Sequence, residues 1–307
     1  MALLNFRSAK PAKPTGTLGS LLSDYSIEVM PRTAAKVEDF RALLPRSTRV
    51  YIAHIDGTPI DEMVATAKRI SAEGFEVMPH FPARIIRDRA TLADWIARYQ
   101  GEAGVHQGLI LAGGVPEPQG DFHSSMQLLE TGLFDKAGFD RLHVAGHPEG
   151  NRDIDPAGGE DTVMEAARWK QDFSERTDAE MALVTQFAFE AEPVLAWGAR
   201  LRDAGVTLPI HVGLAGPAKL QTLIKFAVAC GVGPSLRVLQ KRALDVSKLL
   251  LPYEPTDIAT ELAARKAADP AFPIEQVHLF PLGGIKSCAE WAATHGGTAT
   301  LPAARAV

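Results

Sequence analysis

The chain has 307 residues, of which 46% are hydrophobic and 22% charged, with a formal net charge of −5 and a pI near 6.0. That length admits one large α/β domain or two ordinary ones, and the mild acidity gives no reason to expect nucleic acid or an anionic membrane as partner. No apolar run approaches the roughly 18 residues that a membrane span needs, and the N-terminus lacks the apolar core of a signal peptide, so a cytoplasmic protein is expected.

Residues 1–20, with Lys10, Pro11, Lys13 and Pro14 among glycines and serines, read as a flexible lead-in. The first strand is expected at 26–30, where Ser26-Ile27-Glu28-Val29-Met30 is stopped by Pro31. Glu28 puts a carboxylate where a buried strand should be apolar. Such a group is paired, hydrogen-bonded, or holds its proton with a raised pKa, and each outcome suits acid chemistry; the other reading is a solvated edge or a loop cap.

Further strands are expected at 49–55, 76–82, 108–114, 141–147, 181–189, 208–214 and 276–282. Between them lie segments of helical period. In Ile60 to Ala72, Met63, Val64, Ala67 and Ile70 share a face, and in Glu190 to Arg202, Val194, Leu195, Trp197 and Leu201 do. Thr58-Pro59 opens the first of these, and Asp203-Ala204-Gly205 closes the second. Eight strands alternating with helices predict an α/β fold, a (β/α)8 TIM barrel forming a single catalytic domain over 21–307. No GxGxxG follows any strand, which argues against a Rossmann-type fold.

Two stretches exceed a simple βα unit. Residues 148–160 form a long polar loop, a candidate site wall or lid, and residues 232–275 hold at least two extra helices before the last strand. Arg237, Lys241, Arg242 and Lys248 in the second stretch read as a solvated basic face. Cys230 and Cys288 have neither CxxC nor metal-ligand spacing and read as separate reduced thiols.

Barrel active sites are built at the C-terminal strand ends. There the chain places Glu28, His54 and Asp56, His80, Gly113-Gly114, His147 and Glu149, Thr185-Gln186, His211 and Gly283-Gly284. His143 and His278, nearer the strand starts, read as core histidines. Three chemistries fit such a rim. A metal-dependent hydrolase or lyase would draw on His54, His80, His147 and His211, but no HxH, HExxH or paired-carboxylate spacing occurs and no metal is expected. A Schiff-base aldolase needs a strand-end lysine, and Lys286 alone comes close. In a cofactor site, glycines admit a planar ring, an acid supplies a proton and amide side chains orient substrate.

With those residues in view, the chain resembles the methylenetetrahydrofolate reductases, a flavin-dependent (β/α)8 family, over residues 26–295. Ser26-Ile27-Glu28-Val29-Met30-Pro31 is similar to the family's S-F-E-F-F-P-P, Met78-Pro79-His80-Phe81 to its T-P-H-L, and Ala145-Gly146-His147-Pro148-Glu149 to its A-Y-P-E. Val184-Thr185-Gln186-Phe187 is similar to its I-T-Q-F-F, and Gly213-Leu214-Ala215-Gly216 to its P-G-I-x-P turn. The resemblance implies interconversion of 5,10-methylene-tetrahydrofolate and 5-methyl-tetrahydrofolate by hydride transfer, with Glu28 as the general acid that protonates a folate ring nitrogen. It implies a folate substrate held by Gln186, Thr185 and Leu220, the leucine standing where the family has a stacking phenylalanine. It implies FAD and NAD(P)H (NADH or NADPH) as cofactors, with His54, His80, Gly113, Gly114, His147, Glu149 and Lys170 as cofactor-binding positions.

The chain departs from the family where flavin is held. Leu111-Ala112-Gly113-Gly114-Val115-Pro116 replaces L-R-G-D-P, His147 replaces a flavin-stacking tyrosine, and Glu175 stands about where a phosphate-contacting lysine is expected. Each lost cation removes a charge-assisted bond worth roughly 1.5–3 kcal/mol. Lys170, Arg168 and Arg152 are the available substitutes; without flavin, hydride would pass from a nicotinamide or another reduced carrier directly to the folate. A non-catalytic folate-binding protein is the remaining alternative, although a binder does not need the acid. The sequence leaves a homo-oligomer open.

Overall fold

The computed structural model describes residues 15–229, 239 and 252–297. Eight strands, β1 (Ser26–Val29), β2 (Val50–Ile52), β3 (Val77–Pro82), β4 (Gln107–Leu111), β5 (Arg141–Gly146), β6 (Glu180–Ala188), β7 (Ile210–Ala215) and β8 (Ile274–Phe280), pair in parallel and in sequence order. β8 returns to β1, with Ser26 opposite His278, so the sheet is a closed (β/α)8 barrel. Strands such as Val50-Tyr51-Ile52 and Val77 to Pro82 are buried along their whole length. Covered on one side by helices and on the other by the barrel's own filling, a parallel strand has no face to give to water.

The helices, in chain order, are α1 (Thr15–Leu22), α2 (Pro31–Ala34), α3 (Ile60–Ala72), α4 (Arg89–Ala103), α5 (Ser125–Glu130), α6 (Leu133–Lys136), α7 (Asp161–Ser174), α8 (Ala191–Asp203), α9 (Leu220–Ala229), α10 (Thr256–Ala268) and α11 (Ile285–Thr294). The expected face of α3, Met63, Val64, Ala67 and Ile70, is the buried one. Helix α4 starts where the Asp88 carboxylate accepts the Thr91 N–H and stops at Gly104 in the left-handed conformation. No helix among the described residues is long and apolar enough to cross a membrane.

One expectation is corrected. The flexible lead-in was drawn through residue 20, yet α1 begins at Thr15, and Leu18, Leu21 and Leu22 are buried in the main core. Their spacing makes a helical stripe that packs against α10 and β8, and it outweighs the glycine and serine content of the segment. Of the helices expected between residues 232 and 275, α10 is present. The basic positions Arg237, Lys241, Arg242 and Lys248, and Cys230, lie outside the described residues.

β6 is irregular at its C-terminal end. Val184 pairs with His211 but Phe187 pairs with Gly213, so β6 carries one residue more than β7 across this stretch. The Thr185 hydroxyl fastens the bulge by accepting the Gly213 N–H at 2.9 Å and donating to the Gln186 carbonyl at 2.8 Å. A Cβ on Gly213 would stand 2.5 Å from the carbonyl oxygens of both Thr185 and Gln186, so only glycine allows this approach. Gly213→Ala is therefore expected to lower stability by about 1–3 kcal/mol, read as an earlier midpoint in urea; an unchanged midpoint would mean that the bulge relaxes freely.

Candidate active site

Parallel strands normally present apolar side chains on both faces, so polar residues recurring at every second position mark the inward face. Here the inward set includes Ser26, Glu28, Tyr51, His80, His143, His211, Gln276 and His278. Contacts between strands that are not neighbours locate it: Tyr51 on β2 hydrogen-bonds His143 on β5, and His143 meets the ring of His211 on β7. Tyr51, Met78, Leu109 and Val184, with Leu111 beside them, form the apolar part of the filling.

Glu28 lies at the upper end of this column. Its Oε2 is 3.3 Å from Nε2 of His80 and 3.7 Å from Nε2 of His278. The carboxylate retains 20% exposure while the His278 side chain has none, so the acid is the member of the cluster that meets the mouth. His278 is oriented from its other side: Nδ1 lies 2.9 Å from the Ser26 hydroxyl, which accepts from Gln276 Nε2 at 3.2 Å. Phe280 packs edge-on against the imidazole, with ring centroids 4.8 Å apart.

Burial by itself would raise the Glu28 carboxyl, which is the sequence-based expectation of an acid that keeps its own proton near neutral pH. Bonding to His278 and His80 outweighs that effect and brings the pKa down to about 2. The resting group is thus a carboxylate flanked by imidazoles, and the proton for acid chemistry is carried by the cluster rather than by the carboxyl alone. Burial lowers the His278 pKa, with Glu28 opposing the shift. Both Nε2 atoms are buried and form no well-shaped hydrogen bond, so hydrogen-bonding capacity at the carboxylate is left for a ligand atom.

The other expected positions divide. Gln186 is exposed on the β6 bulge, where its amide is available at the mouth. Thr185 is not: it is buried, and its hydroxyl is committed to fastening β6 to β7. Leu220 is also withdrawn, packed in a satellite core with Phe187, Phe189, Leu223 and Tyr253.

Among the positions expected for a cofactor, only His80 joins Glu28. His54 donates from Nε2 to the Thr58 carbonyl at 2.9 Å and stacks on Trp95 of the outer helical layer. Gly113 makes a turn at φ +101° against Pro82, and Gly114 faces open space. His147 accepts from Asn151 at 3.4 Å, and burial, helped by nearby Lys170, brings its pKa to about 3. Glu149 is half-buried farther along the same loop. Lys170 is buried with its ammonium on the Ala145 carbonyl at 2.7 Å, and burial lowers its pKa to about 8.

The loop of residues 148–160 is tied to its neighbours. Arg84, following β3, pairs with Asp153 at 2.7 Å and donates to the carbonyls of Val115 and His123, tying three rim loops together. Asp155 of this loop accepts the first amides of α7, from Thr162 and Val163, at 3.3 and 3.2 Å. The helix terminus that could seat a phosphate is therefore filled by the protein's own carboxylate. Arg168 is exposed on α7, Arg152 is exposed on the loop, and Glu175 caps the far end of the helix. These groups do not fit the diphosphate of FAD as a set, because the buried lysine and the helix amides are already engaged.

The four histidines considered for metal chemistry do not converge. His54 is held by Thr58, and His211 pairs with Glu275 toward the start of the strands. Among the described residues, no group of three or more His, Cys, Asp or Glu is placed to hold a metal ion. The residues that sequence reading set aside prove informative: His278 and His143, read as core histidines, belong to the column under Glu28. The signal that could have found them is the alternation Gln276, His278, Phe280 on a strand that pairs with Ser26.

No family model matches the chain. Among solved structures, an uncharacterized protein from Clostridium thermocellum that binds two copies of 5-methyl-5,6,7,8-tetrahydrofolic acid aligns over 92% of this chain and 98% of its own, with TM-score 0.56 and 12% identity. Yersinia pestis DHPS, solved with a pterine-sulfa conjugate, aligns over 90% of this chain and 94% of its own, with TM-score 0.46 and 14% identity. At the identity of the first, the likeness establishes a shared fold.

The buried histidines make the fold sensitive to acid. His54, His143, His147, His211 and His278 all have pKa values lowered by burial from 6.5. Below pH 6.5 the unfolded chain takes up protons that the folded chain refuses, so stability falls as pH drops, by up to about 1.4 kcal/mol per pH unit for each histidine. Glu28 adds a loss of the same sign from pH 4.5 down to about 2. Urea midpoints are expected to decline steadily from pH 7 to 5; a flat profile would mean that these imidazoles are protonated in the fold.

Proposed function

We propose that this barrel binds a reduced folate and interconverts 5,10-methylene-tetrahydrofolate and 5-methyl-tetrahydrofolate by hydride transfer. The observation that carries the reading is Glu28, a carboxylate set between two imidazoles at the C-terminal mouth. Gln186, an exposed amide on the same rim, supports it, since an amide can both donate to and accept from a pterin edge. The Clostridium thermocellum protein of the same fold binds methyl-tetrahydrofolate, which supports reduced folates as the ligand class.

In the reducing direction the Glu28–His80–His278 cluster gives a proton to the ring nitrogen, the carbon–nitrogen bond of the five-membered ring breaks, and an iminium forms. The carboxylate left beside the iminium stabilises its positive charge in a site of low polarity. A reduced nicotinamide supplies the hydride that converts the iminium carbon to a methyl group. We infer direct transfer without FAD because Lys170 and the α7 amides, groups of the kind that hold a diphosphate, are turned to partners within the protein.

Glu28→Gln keeps the shape of the site but removes both the charge and the proton path. It is expected to lower kcat by about 10²–10⁴-fold while methyl-tetrahydrofolate binding, measured by calorimetry, stays within a few-fold; a near-normal rate would remove Glu28 from the chemistry. The purified protein is expected to lack a flavin spectrum and to turn over with a nicotinamide alone. Stoichiometric FAD in the visible spectrum would overturn direct transfer while leaving the role of Glu28 intact.

A further inference from the structure

Conversion of methylene- to methyl-tetrahydrofolate consumes one proton per turnover, at the ring opening, in addition to the hydride that reduces the iminium. A folate and a nicotinamide stacked over the mouth would cover Glu28 from above, which raises the question of where the next proton enters. Beneath Glu28 the barrel is filled by groups that can each donate and accept. His278 touches Glu28 with Nε2 and the Ser26 hydroxyl with Nδ1. Ser26 and Arg49 flank the Tyr51 hydroxyl, which lies 2.5 Å from Nδ1 of His143. His143 meets His211 edge-on with centroids 4.7 Å apart, and His211 Nε2 lies 2.7 Å from the Glu275 carboxylate, whose side chain is 57% exposed. Glu275 is the second residue of β8 and so stands at the face opposite the mouth.

We propose that this column is a proton relay that supplies the cluster at Glu28 from the N-terminal face of the barrel, through Glu275, His211, His143, Tyr51, Ser26 and His278. The proposal rests on the reaction given above and names its proton source. In turnover the Glu28 carboxylate passes the proton of His278 Nε2, 3.7 Å away at rest, to the folate and regains its resting charge, and His278 Nδ1 takes the hydroxyl proton of Ser26. Ser26 takes that of Tyr51, and Tyr51 takes the Nδ1 proton of His143. His143 then regains a proton by way of His211 and Glu275 from solvent. Each heteroatom keeps its electron pair, and one proton enters below for each one leaving above.

The charged and titratable groups facing the column are few: Glu28 and His80 at its top, and Arg49, Arg141 and Glu275 toward its base. Burial keeps His143, His211 and His278 neutral at pH 7. Neutral imidazoles pass protons by exchanging tautomers, which requires no stable buried charge.

Tyr51→Phe removes one hydroxyl oxygen and cuts the column below Ser26. In rapid mixing with methylene-tetrahydrofolate and a nicotinamide, the ratio of steady-state to first-turnover rate is expected to fall about tenfold, and imidazole buffer should restore it. Equal loss in both phases with no buffer effect would overturn the relay and leave Tyr51 as a packing group. A second readout needs no turnover. In the full chain with 15N-labelled histidine, His278 is expected to give ring shifts averaged over two tautomers, fixed in the Nε2–H form by Tyr51→Phe. A single fixed tautomer in both proteins would overturn the relay. If the unsubstituted protein reduces no folate, the reaction of the preceding section falls, and the tautomer measurement decides the relay by itself.

Discussion

The structure turns on a carboxylate held between two imidazoles inside a parallel barrel. A charge on Glu28 would be costly on an apolar strand, and His80 and His278 make it stable there. That arrangement sets conditions on everything around it. His278 must present Nε2 to Glu28, so its Nδ1 is engaged by Ser26, Ser26 is engaged by Gln276, and Phe280 closes the remaining side of the ring. Because three of these residues lie on β8 and two on β1, closure of the sheet between the first and last strands assembles the cluster.

The outer and inner faces of the barrel do different work. Outward residues such as Ile27, Val50, Val144 and Val212 join the helices in one continuous apolar core. The inward residues pair polar groups with one another, so a substitution there leaves a buried partner unsatisfied rather than merely opening a void. This division explains how an interior with several histidines coexists with a stable fold.

Much of the architecture was legible in the sequence. Short β-branched runs alternating with amphipathic segments gave eight strands in the observed order, because periodicity is a local property and the barrel follows from it. Glu28, His80 and Gln186 stand out in the sequence because they interrupt apolar runs at strand ends. His278 and His143 were passed over because position along a strand, rather than side-chain alternation, was used to judge them. The burial of Thr185 and Leu220 is not readable along the chain, since the one-residue bulge in β6 and the satellite core under α9 depend on strands and aromatic residues distant in sequence. The pKa of Glu28 reversed for the same reason: the carboxyl and its burial are readable on one strand, but the imidazoles that lower it arrive from two others.

The rim and the interior fit one another in a way that bears on the hydride donor. A tightly held cofactor needs a permanent seat, and the groups that could form one are committed: Asp155 to the α7 amides, Lys170 to Ala145, and Arg84 to Asp153 and two loop carbonyls. A donor that arrives and leaves with every turnover needs only an open mouth, which the glycines after β4 and the exposed amide of Gln186 leave available. On the proposed reaction such a donor, while bound, would cover Glu28 together with the folate, and the proton would have to come from elsewhere. A polar column running down to Glu275 meets that requirement, whereas an apolar barrel interior would not. On the proposed reaction, the committed groups above and the ionisable groups below are two sides of one arrangement, with proton delivery inside the barrel and the mouth left to ligands that exchange.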